Sequence, residues 1–212
     1  MAARSRKPTL VLLVRHGQTP TTGTTLPGRA TGLHLADTGR QQAEAVAERI
    51  AALGKVDAVY ASPLERTRET AAPIAKATGN RVRTARGLLE CDFGTWTGRK
   101  LADLRKKKEW KQVQSNPSGF RFPGGESFSE MQLRMADALT ELRERHPGQR
   151  VVAVSHADPI KAAVAHAMGT PLDLFQRIVV SPCSVSALVL SDDGPLVLAV
   201  NAVDDLKRLV PS

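Results

Sequence analysis

The chain has 212 residues, of which 42% are hydrophobic and 24% charged, a balance typical of globular proteins and long enough for one α/β domain. Thirty basic against 21 acidic residues give a net charge of +9, which suits an anionic partner without separating nucleic acid from a phosphorylated small molecule. Two cysteines, Cys91 and Cys183, are too few for a disulfide scaffold, and no apolar run is long enough for a signal core or a bilayer span, so a soluble, cytoplasmic protein with free thiols is expected.

In chain order, Leu10-Val11-Leu12-Leu13-Val14 reads as a buried parallel strand that ends on Arg15-His16-Gly17. Pro20, Gly23, Pro27, Gly28 and Gly32 make Thr19 to Leu35 a long loop at that strand's end. Thr38-Gly39-Arg40-Gln41 offers a capping box for a helix carrying Ala43, Val46, Ala47, Ile50 and Leu53, stopped at Gly54. Asp57 to Ala61 is a short strand. Ser62-Pro63-Leu64-Glu65 offers a second capping box, with Pro63 at the first position of a helix running to Ala77. Arg81 to Thr84 reads as a strand and Leu88 to Gly98 as irregular. Lys100 to Trp110 reads as a basic helix, and Asn116 to Gly125 as a Pro/Gly loop. Ser127-Phe128-Ser129-Glu130 caps a longer helix to Arg145, with Met131, Met135, Ala138, Leu139 and Leu142 on one face. Arg150 to Val154 is a second apolar strand, ending on Ser155-His156, and Pro159 to Met168 is a helix. Strands are expected at Arg177–Ser181, Ser184–Leu190 and Leu196–Val200, the last two joined at Asp192-Asp193-Gly194.

Strands alternating with helices predict an α/β fold, a three-layer α/β/α sandwich with a mostly parallel central sheet. One domain over 1–212 is expected, with 88–125 as a lid insertion. In open sheets of this kind ligands bind beyond the carboxyl ends of the strands. His16 and His156 each follow an apolar strand, so neighbouring strands would bring both imidazoles to one edge. Arg15 precedes His16, and Arg66 lies near the start of its helix. Two guanidinium groups and an imidazole around one point would form a clamp for a trigonal anion.

These segments resemble the histidine phosphatase superfamily, which includes the phosphoglycerate mutases. The resemblance rests on Arg15-His16-Gly17-Gln18-Thr19, on the segment from Gly28 to Ala43, on Ser62-Pro63-Leu64-Glu65-Arg66-Thr67-Arg68-Glu69-Thr70-Ala71, on Leu89-Glu90-Cys91-Asp92-Phe93-Gly94, and on Ser155-His156. It implies a phosphoglycerate mutase-like fold and five catalytic residues. His16 would take up the phosphoryl group, Arg15, Arg66 and His156 would neutralise its oxygens, and Glu90, rather than Asp92, would be the proton donor. Substrate contacts would come from Arg15, Arg66, His156, Gln18, Thr22 and Gly23. The chain departs from the family where Gln18 replaces a frequent Glu, where Thr21-Thr22-Gly23 lacks an Asn, and where Ala157 stands in place of Gly.

The implied function is a phosphomonoester hydrolase acting through phosphohistidine on a small phosphorylated metabolite. The alternative is a cofactor-dependent phosphoglycerate mutase, and a remote alternative is a non-catalytic, basic polyanion-binding protein. No metal and no cofactor are implied, a bisphosphoglycerate primer being needed only by a mutase. Neither nucleic acid nor membrane is an expected partner, and the oligomeric state is left open, a homodimer included. His34, His146, His166, Arg68 and Lys106-Lys107-Lys108 are expected at surface or packing positions. Arg86, Arg99 and Arg121 lie in or near the lid, which Trp96 and Trp110 would seat.

Overall fold

A computed structural model describes residues 6–204; the basic start at positions 1–5 and positions 205–212 lie outside the described residues. Six strands form one sheet: β1 (Thr9–Arg15), β2 (Ala58–Ala61), β3 (Val82–Thr84), β4 (Arg150–Ser155), β5 (Val185–Ser191) and β6 (Gly194–Ala202), in the order β3-β2-β4-β1-β5-β6. The first four run parallel, while β5 and β6 are antiparallel additions beside β1. The sheet is therefore mostly parallel, as expected.

Alternation of side chains across the strands splits the core into two layers. From β1, Leu12 and Val14 face α1 (Asp37–Ala51) and α2 (Glu65–Ala77), burying Val46, Ile50, Ala71 and Ile74. Val11 and Leu13 face α5 (Phe128–Arg145) and α6 (Ala157–Ala167), burying Met135, Leu139, Ile160 and Val164. A sheet covered on both faces must be apolar on both, which is why β1 and β4 are unbroken hydrophobic runs. A third cluster, rich in aromatics, joins Phe93, Trp96, Phe120, Phe122, Phe128 and Phe175. Trp96 and Trp110 stack there, with ring centres 6.3 Å apart.

Four local expectations are corrected. Lys100–Trp110 is not one helix but α3 (Leu101–Leu104) and α4 (Lys108–Ser115), separated at Arg105-Lys106-Lys107. The buried Leu104 and Val113 are nine residues apart, which on one continuous helix would place them on opposite faces. Thr38 does not cap α1, whose N-cap is Ala36; the Ala36 amide donates to the carbonyl of Gln18 (2.9 Å), so the helix starts earlier. Ser62 does not cap α2, whose N-cap is Leu64, because its hydroxyl is engaged by His156. Arg177–Ser181 is not a strand: a 3-10 turn occupies Leu172–Arg177, and both sides of β1 are already taken by β4 and β5. The capping box at Ser127 and Glu130 forms as read.

Candidate active site

The register of β1 and β4 builds the site. Arg15 stands opposite Ser155, so His16 and His156 are the next residues out on adjacent parallel strands. Their rings meet edge to face, with centres 5.2 Å apart. The backbone here is pinned tightly. The Gly17 amide donates to Thr70 Oγ1 (3.0 Å), and Thr70 Oγ1 donates to the Arg66 carbonyl (2.7 Å), which ties the end of β1 to the first turns of α2. A Cβ on Gly17 would lie 2.5 Å from the Gly39 carbonyl oxygen, so only glycine lets α1 pack against this turn.

His16 is 6% exposed, and its Nδ1 lies 2.7 Å from its neighbour's carbonyl, Gly17 O. A carbonyl only accepts, so Nδ1 carries the proton and Nε2 keeps its lone pair. Burial, then the positive charges of Arg66 and Arg15, push the His16 pKa down to about 3, so the ring is neutral near pH 7. His156 is completely buried, and burial followed by the charge of Arg66 holds its pKa well below the ordinary value. Its Nε2 is 2.9 Å from Ser62 Oγ, while its Nδ1 lies 3.9 Å from Glu90 Oε2.

Arg66 is also fully buried. One Nη2 proton goes to the Gly28 carbonyl (2.8 Å), whereas among the described residues Nε and Nη1 have no partner. Arg15 donates from Nη1 to the Val180 carbonyl (2.7 Å), and its Nε is likewise unpartnered, as is His156 Nδ1. Buried donors are almost always satisfied in native proteins, so a cluster of open ones on cationic and imidazole groups is a place prepared for an acceptor.

Glu90 comes from the irregular segment after the 3-10 turn Arg86–Leu88. Ser155 Oγ donates to the Leu88 carbonyl (2.8 Å), tying that segment to the end of β4. The Glu90 carboxyl is 7% exposed, and burial, reinforced by the negative charge of Asp158, raises its pKa to about 7. Asp92, the rival acid, lies elsewhere: it accepts from the Gly94 amide (3.0 Å) and pairs with Arg29 (3.6 Å).

Arg15, His16 and Glu90 line one cavity of about 380 Å³, together with Thr19, Thr22, Gly23 and Phe93. Arg66 and His156 are wholly buried and interact with His16 without lining it. Gln18 is not on its wall; the Gln18 amide donates to Gln42 Oε1 (3.0 Å) and its carbonyl accepts from Ala36, which places it in the packing of α1. Sequence reasoning missed Asp158, Lys161 and Gln176, which complete the far wall, and Val180, whose carbonyl orients Arg15. Asp158 had a signal: it sits two residues past His156, at the same edge of the sheet. Lys161 and Gln176 had none, because one is a lone helix lysine and the other precedes the segment read as a strand at Arg177–Ser181.

The bland readings hold. His146 is buried and hydrogen-bonded to Tyr60 (3.0 Å) and Gln149 (2.6 Å), and His34 pairs with Glu69 at the surface. Lys106 and Lys108 are exposed. Arg121 pairs with Glu130, and Arg99 donates to the Thr95 carbonyl (3.0 Å). Among the described residues no group of three or more His, Cys, Asp or Glu side chains is arranged to hold a metal ion, and no helix is long and apolar enough to cross a membrane.

The model of the histidine phosphatase superfamily (branch 1) matches residues 11–203. Phosphoserine phosphatase 1 of Hydrogenobacter thermophilus is 30% identical over 196 residues, 90% of this chain and 91% of its own. A probable phosphoglycerate mutase, GpmB, of Erwinia tasmaniensis is 36% identical over 179 residues, 83% and 82% of the two chains. Among solved structures, a mutant phosphoserine phosphatase of Entamoeba histolytica in complex with phosphoserine superimposes with a TM-score of 0.84 at 27% identity, covering 93% of this chain and 99% of that one.

Proposed function

The chain belongs to the histidine phosphatase superfamily, and from that premise we propose that it hydrolyses a phosphomonoester of a small metabolite through phosphorylated His16. One observation carries the reading. A neutral imidazole with a free Nε2 is surrounded by open donors on Arg15, Arg66 and His156, and a carboxyl with a pKa of about 7 stands beside them.

In the first step the Nε2 lone pair forms a bond to phosphorus while the bond to the leaving oxygen breaks. Glu90, protonated, gives its proton to that oxygen and the alcohol departs. In the second step water attacks phosphorus, Glu90 takes the water's proton, and the phosphorus–nitrogen bond breaks to return neutral His16 and inorganic phosphate. A carboxyl raised to about 7 suits both roles, since it releases and recovers a proton near neutral pH. Charge on the equatorial oxygens is met by Arg15 and Arg66, aided by His156. Ser62 supports the last of these in the same reading: its hydroxyl, 2.9 Å from His156 Nε2, would donate to that nitrogen and put the proton on Nδ1, the nitrogen nearer Glu90.

Segment 88–125 acts as the cover of this site in the same reading, contributing Glu90, Phe93 and Leu101 to the cavity wall. A cytoplasmic setting is supported by two buried unpaired thiols; burial pushes Cys183 up to about 12 and Cys91 further still.

The Erwinia relative supports a lesser alternative, phosphoglycerate mutase, in which the phosphoryl group returns to the product rather than to water. Incubation with 3-phosphoglycerate and a bisphosphate primer separates the two. Release of inorganic phosphate with an acid-labile phosphoenzyme, absent in His16→Ala, is expected. Fast isomerisation with little phosphate release would replace the hydrolase reading.

A further inference from the structure

The cavity that His16 lines also carries a charge pair to which the proposed chemistry gives no contact with substrate, although Asp158 helps to raise Glu90. Asp158 and Lys161 stand on the first turns of α6, with Lys161 Nζ 3.3 Å from Asp158 Oδ1 and 3.1 Å from Gln176 Oε1. Their side chains are only 18% and 17% exposed, and they line both the cavity that Arg15, His16 and Glu90 line and a neighbouring one beneath segment 101–128, with Gln176 common to the two. Around them the wall is apolar, with Leu26, Phe93, Leu101 and Ile178. Resting on the hydrolase reading, we propose that Asp158 and Lys161 select the leaving group, and that the substrate is an O-phosphorylated amino acid whose ammonium group pairs with Asp158 and whose carboxylate pairs with Lys161.

Charge matching carries the argument. A phosphate dianion is balanced by Arg15 and Arg66, which leaves Asp158 and Lys161 neutral only as a pair. A leaving group bearing a carboxylate alone could meet Lys161 but would set its charge against Asp158. One bearing an ammonium alone would face the reverse problem, and a neutral one gains nothing from either residue. Leaving one member of a part-buried pair uncompensated is costly, and a site so built rejects partners by that cost. A zwitterion replaces each partner in kind, and the 3.3 Å between the two side chains is comparable to the spacing of the charges in an α-amino acid. The order along the cavity also fits. Asp158 lines the same cavity as Glu90 and Arg15, and the ammonium of such a substrate stands two carbons beyond the leaving oxygen that Glu90 protonates. Gln176 holds the ammonium of Lys161 from the other side, fixing a long, flexible side chain before substrate arrives.

The test is a comparison of kcat/KM at a single pH for four esters: O-phosphoserine, phosphoethanolamine, 3-phosphoglycerate and p-nitrophenyl phosphate. The first three leave as primary alcohols that need Glu90 alike, so ratios among them report this wall, while p-nitrophenyl phosphate checks the phosphoryl site itself. The wild-type enzyme is expected to favour O-phosphoserine over each singly charged ester by about tenfold or more. Lys161→Met should shrink its lead over phosphoethanolamine, and Asp158→Asn its lead over 3-phosphoglycerate, each by about tenfold. A flat wild-type ranking, a ranking led by 3-phosphoglycerate, or variants that move every ratio equally would overturn the assignment while leaving the hydrolase reading intact. The wild-type ranking decides this even if a variant does not fold. Failure to release phosphate from any of the four, p-nitrophenyl phosphate included, would remove both.

Discussion

Glu90 sits between two clusters of charge, one half-buried and one buried, that are built on opposite terms. Its backbone carbonyl belongs to a closed cluster. Arg134 donates to the carbonyls of Gly87 (2.7 Å), Leu89 (3.0 Å) and Glu90 (3.3 Å) and to both oxygens of Glu126 (2.8 and 3.0 Å). Arg29 adds bonds to the Glu90 carbonyl and to Glu126, each 2.9 Å. Burial alone would raise the Glu126 carboxyl, but Arg134 and Arg29 more than offset it and hold it below the ordinary range. The Glu90 side chain belongs to the open cluster, where Arg66 and Arg15 keep donors without partners and the carboxyl is raised. Charges of the first cluster are satisfied within the fold; under the proposed function those of the second are held in place and left available for a ligand.

Substitutions in the two clusters should therefore separate activity from stability. The largest effect is expected for His16→Ala, a loss of about 10⁴-fold or more in kcat with no phosphoenzyme trapped by a denaturing quench at alkaline pH. Thermal stability should hold, because the ring makes only a local bond to Gly17. An active alanine variant would mean that phosphorus is attacked by something else.

Glu90→Gln should cost about 10²- to 10⁴-fold in kcat on substrates with poor leaving groups. The wild-type profile of kcat/KM should fall on the alkaline side with a midpoint near 7, as Glu90 loses its proton, and His16 should set its own limb only near 3. In the glutamine variant the alkaline limb should vanish. The same carboxyl has a pKa raised above its unfolded value of 4.5, so its ionisation opposes folding above pH 7 and ceases to do so as pH falls towards 4.5. Glu90→Gln should thus be the more stable protein at pH 8, by roughly 2 kcal/mol, and not at pH 4. Denaturant titrations at the two pH values check the sign.

Arg66→Met and Arg134→Met sharpen the contrast directly. The first is expected to lower kcat/KM by about 10²- to 10³-fold with little loss of melting temperature, since it removes a buried cation with a single bond. The second should lower stability by about 3 kcal/mol, or roughly 10 °C in Tm, by removing two of the bonds to Glu126 and leaving the carbonyls of Gly87 and Leu89 without this donor. Equal losses of stability from both would erase the distinction between open and closed clusters. The smallest effect is reserved for Ser62→Ala, about tenfold in kcat and about 1 kcal/mol in stability, through the tautomer of His156. An unchanged rate in that variant would show that the hydroxyl only fills space.

Much of this was legible in the chain. Apolar runs at Leu10–Val14 and Arg150–Val154 announced buried parallel strands, and the histidine after each announced a shared edge. Misreadings arose where one residue type has two uses. Ser62 has the residue type of an N-cap, yet its hydroxyl is claimed by His156 across 94 positions of sequence. The break between α3 and α4 depended on which way Leu104 and Val113 had to face, and that is set by the aromatic cluster rather than by helix propensity.

By itself the sequence determined the layering and the membership of the candidate site: periodicity set which faces are buried, and His16, Arg15, Arg66, Glu90 and His156 supplied the groups on which the proposed chemistry draws. Tertiary structure alone decided the rest. Register placed His16 beside His156, burial made one imidazole neutral and one carboxyl a weak acid, and the approach of α6 and segment 172–180 put Asp158, Lys161 and Gln176 across the cavity. The reason is physical. Local pattern encodes which side of an element is apolar, whereas pKa, pairing and cavity shape depend on groups that lie far apart in the chain and meet only when it folds.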